Sequence, residues 1–355
     1  KWADLDLVTP AKKFWQLLFK PSSFIKWPNN GIVIFLGGDQ FWSVLLSQRL
    51  GYKCITYAEW EARWPRWNSY IAAMNKKVKK RLPKKYHKKC KIVGDLMADI
   101  ANENEYSSEI KKGRWIAILP GSKKTKLSIG IPFFLEMADH ISSDGNGINL
   151  MIPIAPTTSI EDFLYYQSDK NPVARKYSSK IKHIKKLKNS IFQYVLQTEK
   201  NTNIYLISTS PAYQILKQCE LAITTVGANT AELAAIHLPM IVVLPTQHLN
   251  LMTAWDGVFG IIGKIPIFNR IISAFIKYWY LNNKKFFSWP NIKSKKLIVP
   301  ERIGEIKPKE IADEAIFLLT NTNLLQNQKR NLIKERGRLG AVQKLTKLII
   351  DSIKD

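Results

Sequence analysis

The sequence has few cysteines, few acidic side chains and no long uninterrupted apolar run. Cys54, Cys90 and Cys219 are too scattered for a disulfide framework or a metal site, which indicates a reducing compartment. No two of the five histidines have the spacing of metal ligands, so we expect no metal. No stretch reaches the roughly 18 to 20 apolar residues of a membrane-spanning helix. A disulfide scaffold, a zinc protein and a membrane-spanning protein are therefore not expected.

Acidic residues are outnumbered by basic ones. The 355 residues include 54 Lys or Arg and 28 Asp or Glu, which gives a formal charge of +26. Such an excess predicts a polyanionic partner, and charge alone does not choose between nucleic acid and an anionic membrane surface. Residues 258–281 form an interrupted apolar segment, typical either of a helix lying in the membrane interface or of a helix packed against its own domain.

Tryptophan and arginine are dense at residues 58–67, AEWEARWPRW. Side chains of these types stack on bases, on a sugar or on one another, and the sequence leaves all three open. No recognisable nucleic-acid-binding module accompanies them, so we do not expect nucleic acid as the partner.

The chain alternates strand and helix patterns. Residues 31–36, GIVIFL, precede Gly37-Gly38-Asp39, a helix pattern over 40–50 and a strand pattern over 53–57, which predicts a βαβ unit of a parallel sheet. Alternation resumes at residue 115 and continues to residue 245, with a lysine-rich helical region expected over 160–199. We therefore predict an α/β protein with a doubly wound sheet.

The expected domain boundary is the polar stretch at residues 103–113. It divides the chain into an N-terminal domain over 1–112 and a second domain over 113–320. A basic helical tail over 321–355 follows them.

Two turns in the second domain suit a phosphate. A strand pattern ends at Pro120-Gly121-Ser122-Lys123, a tight turn that offers backbone N–H groups, a hydroxyl and an ammonium. Another strand pattern ends at a turn containing Gly227, before a helix expected to begin near Asn229. Glu232 lies three residues after Asn229. This spacing is that of a capping box and also that of a site residue in the first helical turn, and both alternatives remain open.

Several ordered motifs resemble those of lipid-A-disaccharide synthase, a bacterial glycosyltransferase of the GT-B fold. The resemblance covers residues 30–320. The matching segments are ILPGSK at 118–123 for the family's LLPGSR, VGDLMAD at 93–99 for VGHPLAD, SWPNIKSKKLIVPE at 288–301 for the family's SLPN and VPE block, VGANTAELAAIHLPMIVV at 226–243 for the SGTAALE helix and its following strand, and GIVIFLGGDQF at 31–41 for IGIDAPDFN.

The resemblance implies a GT-B fold with two Rossmann-like doubly wound lobes facing across a cleft. The N-terminal, acceptor-side lobe would be incomplete, because the family's glycine-rich entry motif is missing. The implied activity is that of a hexosyltransferase of lipid A biosynthesis, which moves an acylated glucosamine from UDP to an acyl-sugar phosphate and releases UDP. Such an enzyme would need no cofactor or metal. It would work peripherally on the cytoplasmic face of the inner membrane, with an anionic membrane surface and an acylated sugar or lipid acceptor as partners.

Carried over by position, the resemblance also implies a set of donor-binding residues. Ser122 and Lys123 would meet the donor pyrophosphate, and Glu232 would bind the uridine ribose. Asp39 is the nearest candidate for the base that activates the acceptor hydroxyl. The full donor-binding set is Gly121, Ser122, Lys123, Gly227, Asn229, Thr230, Glu232, Asn291 and Glu301, of which the last two would line the UDP side of the cleft.

The chain departs from the family at some of these positions. Lys123 replaces an arginine, which keeps the charge and loses the bidentate phosphate geometry. Val226-Gly227-Ala228 replaces SGT, so two hydroxyls are missing that Asn229 and Thr230 would have to replace. Asp39 lies one residue away from the family's aspartate, and it could instead cap the helix that starts at Gln40.

These departures leave two alternatives to the implied activity. One is a related GT-B enzyme that uses another UDP-sugar and another lipid acceptor. The other is a non-catalytic nucleic-acid-binding α/β protein whose lysines meet phosphates.

Overall fold

The chain forms two compact units. The structure, a computed structural model, describes residues 6–102, 110, 112–144, 147–188, 190–247, 286–337 and 339–354. The first unit comprises Lys1–Asp99 and Gly337–Asp355, and the second comprises Ile100–Arg336. These boundaries differ from the expected 1–112, 113–320 and 321–355, chiefly because the C-terminal helices are divided between the units.

In its described residues the first unit is built on a four-stranded parallel sheet with its strands in chain order. The strands are β1 (Ile32–Phe35), β2 (Lys53–Ala58), β3 (Tyr70–Ala73) and β4 (Cys90–Ile92), and the helices before β4 are α1 (Phe14–Phe19), α2 (Gln40–Leu50) and α3 (Lys76–Arg81). The predicted βαβ unit is present as β1, α2 and β2. The strand β3 was not predicted, since its YIAA sequence has little strand propensity beyond its first two residues.

The last helix of the chain, α11 (Ala341–Lys354), completes the core of the first unit. Its Leu345 and Leu348 are buried in one apolar cluster with Ile55 of β2. The Asp99 carboxylate accepts the backbone N–H groups of Gly340 and Val342 at 2.6 and 2.7 Å, which satisfies donors at the start of this helix. The expected tail is therefore two helices with separate apolar contacts, and the helix before α11 belongs to the second unit.

The second unit contains, in its described residues, an eight-stranded sheet in the order β12-β11-β10-β5-β6-β9-β8-β7. The strands are β5 (Arg114–Leu119), β6 (Ile148–Pro153), β7 (Ile181–Lys186), β8 (Tyr194–Thr198), β9 (Asn203–Ile207), β10 (Leu221–Thr225), β11 (Met240–Pro245) and β12 (Glu301–Gly304). All neighbours are parallel except β8, which is antiparallel to both β7 and β9.

Both faces of this sheet are covered. Along β5, Ile116 and Ile118 belong to one buried cluster, while Trp115 and Ala117 belong to another, as alternation along a strand requires. The covering helices are α4 (Lys124–Asp144), α5 (Ile160–Gln167), α6 (Tyr213–Leu216), α7 (Asn229–Ala235), α8 (Trp289–Ser294), α9 (Pro308–Thr320) and α10 (Thr322–Arg336). The doubly wound α/β prediction is confirmed for this unit.

The helical region expected over residues 160–199 is wrong. The helix α5 ends at Gln167, and β7 and β8 then form an antiparallel hairpin. The lysines of IKHIKK, residues 181–186, resemble the solvated face of a helix. In the structure this segment is the strand β7, in which Ile181 and Ile184 are partly buried and the lysines are exposed. Among the described helices none is long and apolar enough to cross a membrane, and the segment at 258–281 lies outside the described residues.

Candidate functional site

The two predicted phosphate turns lie side by side at the point where the strand order reverses. From β5 the chain proceeds to β6 and β9 on one side, and then returns to place β10 on the other side of β5. Ligands of open α/β sheets bind at the carboxyl ends of the strands at such a switch point. The turns at 120–123 and 226–228 follow β5 and β10 directly, so both lie at this edge.

The first turn needs a glycine. Gly121 has a φ of +102°, and a Cβ added there would lie 2.9 Å from Lys126 Cβ and 3.3 Å from Thr225 Oγ1. Ser122 and Lys123 follow, and the long helix α4 begins at Lys124. The turn therefore lies at the N-terminus of a long helix, where free backbone N–H groups favour an anion.

The second turn also depends on glycine. Gly227 has a φ of +147°, and a Cβ added there would lie 2.7 Å from Lys126 Nζ. The capping box proposed for Asn229 and Glu232 is absent, because α7 begins at Asn229 with Ala228 at the cap position and no side-chain cap. Thr230 Oγ1 instead donates to the Gly227 carbonyl at 2.8 Å, which holds the turn against the helix.

Lys126 was missed by the sequence analysis and links the two turns. From the first helical turn of α4 its Nζ donates to the Val226 carbonyl at 2.6 Å. Burial first, and the Lys123 ammonium second, lower its pKa. In the described residues it has no carboxylate partner, so two cations lie close together beside both turns. Lys126 lies three residues after Lys123, a spacing that places both on one face of a helix, and this could have identified Lys126 from the sequence.

Thr225, the last residue of β10, was also missed. Its hydroxyl is buried and makes no hydrogen bond within the described residues. A buried hydroxyl without a partner costs free energy, and a bound ligand oxygen would satisfy it. It lies one residue before the Val226-Gly227-Ala228 turn, which lacks the hydroxyls of the family's SGT.

Two cavities open at this edge of the sheet. One, of about 350 Å³, brings together Gly121, Ser122, Asn229 and Glu232 and is closed on its far side by the loop after β9. The other, of about 370 Å³, is bordered by the remaining cationic and glycine residues of the turns and backed by apolar side chains; its members include Lys123, Lys126, Thr225, Gly227, Ile129, Phe133 and Phe134. The structure thus distributes most of the predicted donor-binding residues over two cavities that share one edge.

Glu232 is half-buried in the first cavity. Its carboxylate makes no hydrogen bond or ion pair to any described residue, and burial raises its pKa. A half-buried acceptor without a partner is suited to paired hydroxyl donors such as those of a ribose.

The raised pKa of Glu232 predicts a pH dependence. Because the carboxylate form accepts from ligand hydroxyls, affinity for UDP-N-acetylglucosamine should fall as the pH is lowered through this raised pKa, at a higher pH than for an ordinary glutamate. The sugar ester is the better ligand, since free UDP has its own phosphate ionisation near pH ~6. Calorimetric titrations across pH should show this step in the natural protein and lose it in Glu232→Gln. A step of equal size in both would contradict the assignment.

Asn291 and Glu301 are engaged in holding a loop. Asn291 is fully buried, and its Nδ2 donates to Glu301 Oε1 and to the Val299 carbonyl, each at 2.8 Å. Glu301 also accepts from Ser288 Oγ at 2.6 Å. These bonds place the Trp289 backbone N–H on Thr230 Oγ1 at 3.0 Å. Neither residue lines the two cavities, so the geometry favours a supporting role behind Thr230; contact with UDP stays a prediction.

Asp39 lies in the first unit and caps α2. Its Oδ1 accepts the Phe41 backbone N–H at 3.0 Å, which is the capping alternative from the sequence. It also lines a cavity of about 320 Å³ with Gly37, Gly38 and Arg63. Capping leaves one carboxylate oxygen for other partners, so its role as a base stays a prediction.

Removing the charge of Lys126 should weaken UDP binding without lowering the stability of the fold. We expect Lys126→Met to weaken UDP binding by about ten- to a hundredfold, because a charge-assisted contact contributes roughly 1.5–3 kcal/mol. Thermal stability without ligand should stay equal or rise, since it is unfavourable to bury a cation that has no carboxylate partner in the described part of the chain. Calorimetry and thermal melting measure the two effects. Lys124→Met, an exposed neighbour with the same charge change, is the control, and equal losses of affinity in both variants would contradict a specific role.

The chain resembles a curated glycosyltransferase in sequence. No protein-family model matches it. It is 25% identical over 263 residues to a lipid-A-disaccharide synthase of Sulfurihydrogenibium sp. (strain YO3AOP1), and the match covers 72% of this chain and 56% of that protein. The chain therefore spans little more than half the length of this relative.

A solved structure identifies the fold. The S. aureus MnaA–UDP co-structure aligns with a TM-score of 0.53 at 11% identity, covering 96% of this chain and 81% of that one. The fold is GT-B. A putative UDP-N-acetylglucosamine 2-epimerase from Listeria monocytogenes aligns with a TM-score of 0.49, also at 11% identity, over 92% of this chain and 76% of that one. In this GT-B chain the first unit and the second unit are the two Rossmann-like lobes.

Proposed function

We propose that the chain is a UDP-sugar glycosyltransferase whose donor site lies at the carboxyl ends of β5 and β10. The observation that carries this is the convergence at one switch point of two glycine turns, two lysines and Glu232, whose carboxylate has no partner among the described residues. A nucleoside diphosphate presents the complementary groups, two hydroxyls on a ribose and two adjacent phosphates. The curated relative is a glycosyltransferase, and the MnaA structure contains UDP, which supports the same ligand.

The reaction follows from the charges at this site. An acceptor hydroxyl oxygen attacks the anomeric carbon of the donor sugar, the bond from that carbon to the diphosphate breaks, and UDP leaves with the electron pair. Backbone N–H groups, the start of α4, Lys123 and Lys126 would stabilise the negative charge on the leaving group. Lysine ammonium groups supply this charge without a metal ion, so the proposal includes no metal or other cofactor. The hydroxyl proton would pass to a base, for which Asp39 is the proposed residue.

The finer proposal is the reaction of the curated relative, with an acylated glucosamine as donor sugar and an acyl-sugar phosphate as acceptor. The ordered motifs at 118–123 and 288–301 and the 25% identity support it. The formal charge of +26 suits anionic lipid substrates at a membrane, and we propose the cytoplasmic face of the inner membrane as the place of action.

The test is a transfer assay with purified chain, UDP-linked acyl-glucosamine and an acyl-glucosamine phosphate. The proposal predicts UDP release that requires both substrates, together with a disaccharide phosphate seen by mass spectrometry. At limiting donor concentration, both should fall by about ten- to a hundredfold in Glu232→Ala. UDP binding without transfer to this acceptor would contradict the finer proposal and leave a related GT-B enzyme with another lipid acceptor.

A further inference from the structure

The first unit carries a connected surface of aromatic rings. The members of this aromatic surface are Phe14, Trp15, Phe19, Phe41, Trp42, Trp64 and Trp67. Trp15 meets Trp42 edge-on at 5.1 Å between ring centroids, and Phe41 links Trp42 to Trp64 at 5.1 and 5.6 Å. Of the alternatives that the sequence left open for residues 58–67, the structure shows Trp64 and Trp67 packed on one another.

These rings pack together and still remain in contact with solvent. Phe19 is 65% exposed, Trp15 53% and Trp67 44%, and Trp64 and Phe41 are also exposed. Isolated exposed apolar side chains are common, but a contiguous aromatic patch marks a surface that has a partner. The patch draws on α1, α2 and the loop after β2, so it is a feature of the folded unit and not of one loop.

Basic side chains border this surface. Lys12 and Lys13 precede α1 and Lys20 follows it, all exposed, while Arg63 and Arg66 flank Trp64. Acidic side chains balance the arginines near Trp64, since residues 58–67 also contain Glu59 and Glu61, and Glu61 pairs with Arg63 at 2.6 Å. Around α1, however, residues 10–20 contain three lysines and no acidic residue, so this side of the border is positive and favours a negatively charged partner.

We propose that the aromatic surface docks the chain on an anionic lipid bilayer. Tryptophan and phenylalanine enter the headgroup region of a bilayer, while lysine and arginine meet the lipid phosphates. Nucleic acid fits less well, because bases stack between separated rings and these rings already occupy one another's faces and edges. This inference rests on the membrane location given in the proposed function and names the surface that makes the contact; UDP titration tests the donor site separately from vesicle binding.

Vesicle sedimentation tests the proposal. The full chain should bind vesicles of phosphatidylcholine with phosphatidylglycerol, bind phosphatidylcholine alone far more weakly, and show a blue-shifted tryptophan emission when bound. Trp15→Ser with Phe19→Ser should lower partitioning by about tenfold or more, because both apolar anchors are removed. Tyr165→Ser with Phe317→Ser is the matched control, since these aromatic side chains in the second unit are 52% and 56% exposed, and it should bind vesicles normally.

Two charge-reversal variants distinguish docking through the aromatic surface from general electrostatic attraction to the vesicle. Lys12→Glu with Lys13→Glu should weaken vesicle binding more than Lys76→Glu with Lys77→Glu, which makes the same charge change on exposed positions of α3. Circular dichroism and UDP titration of each variant verify folding. Absence of binding to anionic vesicles, or equal binding by the aromatic variant and its control, would overturn the proposal. Self-association that the aromatic variant abolishes, without a change in vesicle binding, would assign the surface to a second copy and overturn it too.

Discussion

Replacing Gly227 with valine should reduce UDP affinity by a hundredfold or more. The backbone φ of +147° is strained for any residue with a side chain, at a cost of roughly 1–3 kcal/mol. The new Cβ would also lie 2.7 Å from Lys126 Nζ and displace the ammonium from the Val226 carbonyl, which disturbs both turns. A loss of about 3 kcal/mol in binding corresponds to roughly a hundredfold in Kd, which isothermal calorimetry measures directly.

A matched glycine distinguishes local damage from general instability. Gly147 has a φ of +79° in the same unit, and an added Cβ there meets nothing within 4 Å. Gly147→Val should therefore lower the melting temperature and leave UDP affinity unchanged. If Gly227→Val binds UDP as Gly147→Val does, the turn after β10 does not belong to the donor site.

Removing the Glu232 carboxylate should weaken UDP binding by about ten- to a hundredfold. The carboxylate is half-buried and has no partner among the described residues, so a ligand's hydroxyl groups would gain charge-assisted hydrogen bonds of roughly 1–3 kcal/mol in total. Glu232→Ala removes both acceptors, whereas Glu232→Gln keeps the shape and one acceptor and should show a smaller loss. Glu199→Ala, an exposed glutamate of the same unit, should bind UDP normally.

The ligand can be varied together with the protein. If Glu232 holds the ribose, the natural protein should prefer UDP to deoxy-UDP, and Glu232→Ala should bind both equally. Such a cycle isolates the contact between the carboxylate and the missing hydroxyl. An unchanged preference for UDP over deoxy-UDP in the alanine variant would show that the Glu232 carboxylate does not contact the ribose hydroxyls.

The sequence located both turns because each follows a continuous apolar strand and contains a glycine. That pattern identifies strands buried on both faces and the edge at which their loops meet. It could not show that β5 and β10 are neighbours, which depends on the order of strands in the folded sheet. Lys126 was missed for the same reason, since its contact with Val226 joins residues a hundred positions apart.

Other errors arose where local sequence was ambiguous. The capping box failed because the helix α7 starts at Asn229 itself, one residue earlier than a cap at that position allows. The spacing of the lysines in β7 is also typical of a solvated helix, and the segment is a strand because it pairs with β8. Asn291 and Glu301 match the family's motif, yet their hydrogen bonds to the loop at 287–299 could not be read from spacing.

Calorimetric titration of the purified chain with UDP, at low salt and with EDTA, tests the central claim most directly. We expect micromolar binding that EDTA leaves unchanged, because the lysines and backbone N–H groups after β5 and β10 would bind the diphosphate. Absence of UDP binding would contradict the donor site. Binding that EDTA abolishes would contradict the role given to Lys123 and Lys126.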